Sequence, residues 1–202
     1  DWTVPEEWNI REAWIKDDTG RKIADFEKCN LHVVGCSEPI DAHLTFSKLE
    51  RHLHTLPKTP EAVPYRTSYY EKSWGFCLPH ETFIQMDRDS KYHVFIDSSF
   101  KSSGSMTMAH TFKKGRSRKE YIISTYCCHP SLANDNLSGL ILAALLFKKL
   151  STIDTYHSYR LIIAPETIGT IAYLHRYEKQ MKQIDGGYVV TTVAGPGQFG
   201  YK

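Results

Sequence analysis

Hydrophobic and polar positions change rhythm about halfway along the chain. In the second half they fall in blocks. "EYIISTYCC" (120–128) is a near-continuous apolar run, the pattern of a strand buried on both faces. "NLSGLILAALLFKKL" (136–150) is apolar almost all round and carries Lys148 and Lys149 in its last turn, which predicts a buried helix with a basic end. "YRLIIAPE" (159–166) predicts a second buried strand, "TIGTIAYLHRYEKQMKQ" (167–183) a helix, and "GGYVVTTV" (186–193) a third strand. This β-α-β-α-β order predicts an α/β fold with a parallel sheet and right-handed crossovers.

The first half, residues 1–115, has shorter periods. "NLHVVGC" (30–36) and "KYHVFIDSSF" (91–100) are rich in β-formers and alternate in part. Ser47-Lys48-Leu49-Glu50 fits a capping box, which predicts a helix over "KLERHLHTL" stopped by Pro57. "KSSGSM" is a turn signal, so 91–113 reads as a hairpin. The change of rhythm divides the chain into a β-rich domain at 1–115 and an α/β domain at 116–202.

With 202 residues, 41% hydrophobic and 24% charged, the chain suits one sizeable core or two small ones. A net charge of +2 is too mild to argue for nucleic acid, and no base-reading motif accompanies it. No apolar run approaches the roughly 18 to 20 residues of a membrane span, and "DWTVPEEWNI" has none of the regions of a signal peptide. Five cysteines without a CxxC pair predict a reduced, cytoplasmic setting. After "GGYVVTTVAGPGQFGYK" no closing helix or strand follows, so a piece of a longer protein is expected. The third strand would then be an open edge that invites pairing with another chain, as in a homo-oligomer.

In open parallel sheets, ligands bind beyond the carboxyl ends of the strands. His129 lies just past the first of these ends, Asp135 on the same loop, and Glu166 directly after the second strand. Alone, His129 reads as a hydrogen-bonded loop residue and Asp135 as a helix cap. Together with Glu166 they place an imidazole and two carboxylates on one rim, a donor set that suits zinc or a similar divalent ion.

Those segments, "STYCCHPSLANDNLSG" and "PETIGTIAYL", together with "DWTVPEEWNIREAWI", "NLHVVGCSEP", "PYRTSYY" and "WGFC" upstream, carry a resemblance. The chain resembles, over nearly all its length, a bacterial family of aminopeptidase-like proteins within the superfamily of co-catalytic zinc exopeptidases. The resemblance implies part of a three-layer α/β/α core at 116–202 and a β-rich inserted domain at 1–115. It implies zinc, one or two ions, with His129 and Asp135 as ligands and Glu166 as the general base. It implies a metallo-aminopeptidase acting on a peptide or small amide, incomplete in this chain alone. Thr167 stands where relatives have a metal-binding glutamate, and Ser131 where they have an aspartate that orients the histidine.

Thr167 and Ser131 equally support an aminopeptidase fold that has lost its chemistry and serves as a binding module. Cys127-Cys128-His129 is a poor nucleophile pair, because neighbouring strand residues face opposite ways. Tyr65, Tyr69, Tyr70, Trp74 and Phe76 read first as a small core and second as a recognition surface. "KKGRSRK" (113–119) reads as an exposed connector. His52 and His54, two apart on the expected helix, are poor metal partners.

Overall fold

Tyr92, Val94, Ile96 and Ser98 are buried while His93, Phe95 and Asp97 between them are half-exposed, the period of two that a one-sided strand requires. In the computed structural model, which describes residues 2–128, 130–198 and 200, these residues lie in the longest strand of a first compact unit, residues 1–104. In chain order that unit contains β1 (Glu7–Lys16), β2 (Lys22–Asp25), β3 (Ile40–Thr45), α1 (Phe46–Leu49), β4 (Leu53–His54), β5 (Phe76–Cys77), α2 (His80–Ile84) and β6 (Lys91–Lys101). Strands β2, β1, β6 and β3 pair in that order into an antiparallel sheet. Its inner face packs Ala13, Ile15, Val94 and Ile96 against Phe46, Leu49, Phe76 and Leu78.

Strand β1 has a change of register between Ile10 and Glu12, which leaves Arg11 as an extra residue. The bulge lets Trp8 and Ile10, of even number, pack on the same core as Ala13 and Ile15, of odd number.

Three expectations change here. The helix expected over 48–56 is only α1 followed by a 3-10 turn at Glu50–His52. Leu53 and His54 then pair in parallel with Phe76 and Cys77, and Leu78 N–H donates to His54 O at 3.0 Å; this pairing outcompetes the local helical preference. Segment 30–36 is a 3-10 turn with isolated bridges at Val33 and Gly35, not a strand. No hairpin joins 91–101 to 109–113, because the latter strand belongs to the other unit.

That second unit, residues 105–202, contains β7 (Ala109–Lys113), β8 (Glu120–Tyr126), α3 (Gly139–Ser151), β9 (Ser158–Ala164), α4 (Ile168–Arg176), α5 (Glu178–Met181) and β10 (Gly186–Val189). The sheet order is β10-β8-β9-β7. The first three strands are parallel and β7 is antiparallel at the edge. Ile123 and Leu161 pack with Ala143 and Phe147 of α3, whereas Ile162 and Ala164 pack with Tyr173 of α4. Since successive strand residues point to opposite faces, α3 and α4 cover opposite sides of the sheet.

Helix α3 was expected to be buried all round. Ala143 and Phe147 are buried, but Ile141, Leu142, Leu145 and Leu146 are 48%, 45%, 59% and 42% exposed. Among the described residues no helix is long and apolar enough to cross a membrane.

Candidate functional site

Strands β8 and β9 end together. Tyr126 is paired with Ala164, and Cys127 N–H donates to Ala164 O at 3.1 Å. Asp135 follows β8 on the irregular turn Ala133–Ser138 that leads into α3, and its peptide bond to Asn136 is cis. Glu166 follows β9 after one proline. The two carboxylates therefore emerge at the carboxyl edge of the same parallel pair. His129 lies outside the described residues.

Asp135 is half-buried and held from the strand below. Tyr126 Oη donates to Asp135 Oδ1 at 2.6 Å and lies 2.7 Å from Thr191 Oγ1. A phenol has one proton, so the Thr191 hydroxyl donates in the second bond. Burial raises the Tyr126 pKa, and the hydrogen bond and charge of Asp135 and the charge of Glu166 add to it. Burial likewise raises Cys128, with smaller contributions from the charges of Glu166 and Asp135. Asp135 is hydrogen-bonded to the Tyr126 phenol and the Glu166 N–H to the Cys128 thiol, two neighbours at the end of one strand.

Glu166 is exposed and its backbone is fixed on both sides. Its N–H donates to Cys128 Sγ at 3.2 Å. Thr167 has φ 57° and ψ −69°, and Ile168 N–H returns to Glu166 O at 2.6 Å, a γ-turn. A non-glycine residue there costs on the order of 1–3 kcal/mol, a strain that clusters at functional sites. At Gly169 an added Cβ would lie 2.6 Å from Pro165 Cδ, so glycine is what lets α4 start tight against the strand end.

Asn136 is the anchor of the turn and is 3% exposed. Its Nδ2 donates to Thr125 Oγ1 at 2.9 Å and to Tyr126 O at 3.2 Å, and its Oδ1 accepts from Thr192 N–H at 3.0 Å. Val193 N–H donates to Ser138 Oγ at 3.1 Å and Ala194 N–H to Asn134 Oδ1 at 2.9 Å. Three successive amides after β10 are thus taken up by side chains of one turn. Tyr126, Thr191 and Asn136 had no sequence signal beyond their closeness to Asp135 or to the third strand.

A cavity of about 370 Å³ lies beside this edge, lined by Cys127, Cys128, Ser131, Leu132, Asn136 and Leu137. Carboxylate and imidazole donors suit zinc by type. Among the described residues, however, no group of three His, Cys, Asp or Glu side chains could hold a metal ion. No disulfide joins the cysteines among the described residues.

Residues 7–99 match a family described as a domain of unknown function, DUF2172. A Clostridium acetobutylicum protein named "Putative polysaccharide biosynthesis protein with aminopeptidase-like domain" is 44% identical over 202 residues, 100% of this chain and 46% of its own length. The chain therefore spans about half the length of this relative. A crystal structure of a "putative peptidase" from the same species superposes with a TM-score of 0.92 at 44% identity, over 98% of this chain and 46% of that one. A zinc aminopeptidase from Bacillus subtilis gives a TM-score of 0.56 at 12% identity, covering 93% of this chain and 59% of its own. A peptidase M28 precursor from Shewanella amazonensis gives 0.57 at 8%, covering 90% and 58%. At such identities these last two show a shared fold: the chain is a mixed α/β protein with several sheets, similar to the aminopeptidase fold.

Proposed function

We propose that the chain carries one side of the active site of an aminopeptidase-like hydrolase acting on a peptide or small amide. The second unit is read as part of a three-layer α/β/α peptidase core, and the β-rich first unit as an insertion. What supports this reading above all is the pair Asp135 and Glu166, which follow the carboxyl ends of one parallel strand pair, Asp135 hydrogen-bonded to Tyr126 and the Glu166 N–H to Cys128. The likeness of fold to a zinc aminopeptidase agrees with it.

Asp135, with His129, would contribute ligands to a zinc site completed by residues beyond this chain. Zinc there would polarise the scissile carbonyl and lower the pKa of a bound water to about 7. Glu166 acts as the general base: an Oε atom takes the proton of the attacking water and passes it to the leaving amine. The γ-turn at Thr167 and the Cys128 contact hold its backbone while the side chain reaches solvent. Tyr126 positions Asp135 by occupying Oδ1.

The decisive experiment uses the full-length protein with an aminoacyl-anilide substrate. Glu166→Gln keeps the shape and removes the proton acceptor. The expected result is a kcat lower by about 10² to 10⁴-fold with metal content unchanged. Loss of metal instead would make Glu166 a ligand.

Thr167 and Ser131, and the lack of a three-ligand group among the described residues, favour a second reading, an inactive binding module. Full-length protein without metal and without turnover would select it.

A further inference from the structure

The aromatic stretch between Tyr65 and Phe76 divides into two roles. Trp74 stacks on His52 with ring centroids 3.8 Å apart, and Phe76 is fully buried in the core of the first unit. Tyr69 and Tyr70 instead remain 37% and 68% exposed. They border a concavity of about 340 Å³, within the range of small-ligand sites. Phe100, 39% exposed, is a third aromatic on its wall, and Glu6, Glu38 and Glu71 line it as well.

The walls are held in place without a ligand. Gly35 N–H donates to Arg66 O at 2.8 Å, Ser68 N–H to Gly35 O at 2.9 Å, and Glu38 N–H to Ser73 O at 2.9 Å, so two loops are stitched together. Beneath them Ser37 is wholly buried, and its carbonyl accepts from Trp8 Nε1 at 2.9 Å and Ser98 Oγ at 2.7 Å. Cys36 is held at φ 64° between these bonds.

The charge is one-sided. Three carboxylates face one ammonium, that of Lys72, and none of these four groups joins an ion pair among the described residues. Exposed aromatic faces attract a cation through the ring quadrupole, and unpaired carboxylates add charge-assisted hydrogen bonds. An anion is repelled from such a cavity, and a neutral ligand gains only the stacking.

We propose that this cavity binds a small ligand carrying a protonated amine beside an apolar face: the ammonium meets Glu38 and Glu71, and the carbon skeleton lies on Tyr69 and Tyr70. That chemistry has two sources, an amino sugar or the amino terminus of a peptide. The proposal is independent of the hydrolytic reading of the other unit.

Calorimetry on the full chain with glucosamine, N-acetylglucosamine, dialanine and N-acetyl-dialanine tests it. At least one free amine should bind with a Kd of about 1 mM or tighter, and its acetylated twin at least about 10-fold more weakly. Binding of glucosamine alone identifies the sugar, of dialanine alone the peptide, and of both the shared amine. Glu71→Lys and Tyr70→Ala, both at exposed positions, should each weaken binding by at least about 10-fold with an unchanged circular dichroism spectrum. Glu166→Gln should leave it untouched. The proposal is overturned if no amine binds, if acetylated twins bind equally well, if either cavity variant binds as the parent does, or if Glu166→Gln abolishes the binding.

Discussion

Single side chains decide the geometry of the candidate site, and Asn136 decides most of it. Its amide joins Thr125, Tyr126 and Thr192 within a buried environment. Asn136→Ala would strand the buried Thr192 N–H, at about 1–3 kcal/mol, and remove the donor to Thr125 Oγ1 and Tyr126 O, although the Thr125 hydroxyl still donates to Val190 O at 2.9 Å. We expect a loss of about 2–4 kcal/mol in urea unfolding of the chain; a loss under about 0.5 kcal/mol would mean that water replaces the amide without cost. Gly139 belongs to the same lock, since an added Cβ would lie 2.4 Å from Asn136 Oδ1 and 2.5 Å from Val190 O. The position of Glu166 was legible in the sequence because a carboxylate directly past a buried strand has few structural uses, whereas Asp135, which alone reads as a helix cap, was placed only by the β-α-β order. Asn136, Tyr126 and Thr191 were not legible, because what gives them meaning is contact across 56 or 65 residues of chain, and no local pattern encodes that.

At the scale of elements, legibility followed the clarity of the period. The blocks of the second unit have one rhythm each and give the β-α-β-α-β order, although the helix expected over 167–183 is divided into α4 and α5 at Tyr177 and the strand expected over 186–193 ends at Val189. Strand β1 escaped notice because the extra residue at Arg11 moves its apolar positions from even to odd numbers, so alternation fails over the window that would reveal it. Strand β4 was hidden by a capping-box pattern that the parallel pairing with Phe76 and Cys77 overrides. Helix α3 was recognised, but its composition did not reveal which side is covered. Ile141 and Leu145 stand one turn apart on the exposed side. Ile141→Glu with Leu145→Lys would replace them by a favourable i,i+4 pair. The expected outcome is weaker binding of a hydrophobic dye and an unfolding free energy within about 0.5 kcal/mol of the parent. A loss above about 1 kcal/mol would show that this side is packed in solution.

For the molecule as a whole, the two halves are separate compact units. The division falls after Gly104, and β7, which the sequence groups with the strand before it, pairs with β9; only a long-range partner could reveal that. The first unit keeps lowered carboxyl groups. The Thr19 hydroxyl and the Arg21 backbone and side chain hold Asp17 below its ordinary value of 3.8. At Asp25 burial pushes the pKa up, but Lys22 and the Glu27 N–H outweigh it. The unfolded chain therefore takes up protons first as the pH falls, so this stability is complete above the ordinary value and is lost as the pH drops through the lower folded ones. Asp17→Asn should reduce the difference in urea midpoint between about pH 6 and about pH 3, mainly by lowering the value at the higher pH; an unchanged difference would remove Asp17 from the account. The stretch after β10 has a different character in time. Thr192, Val193 and Ala194 give their backbone protons to Asn136, Ser138 and Asn134 of one turn, so the segment does not fray residue by residue: it stays shut until that turn opens, and then all three are released at once.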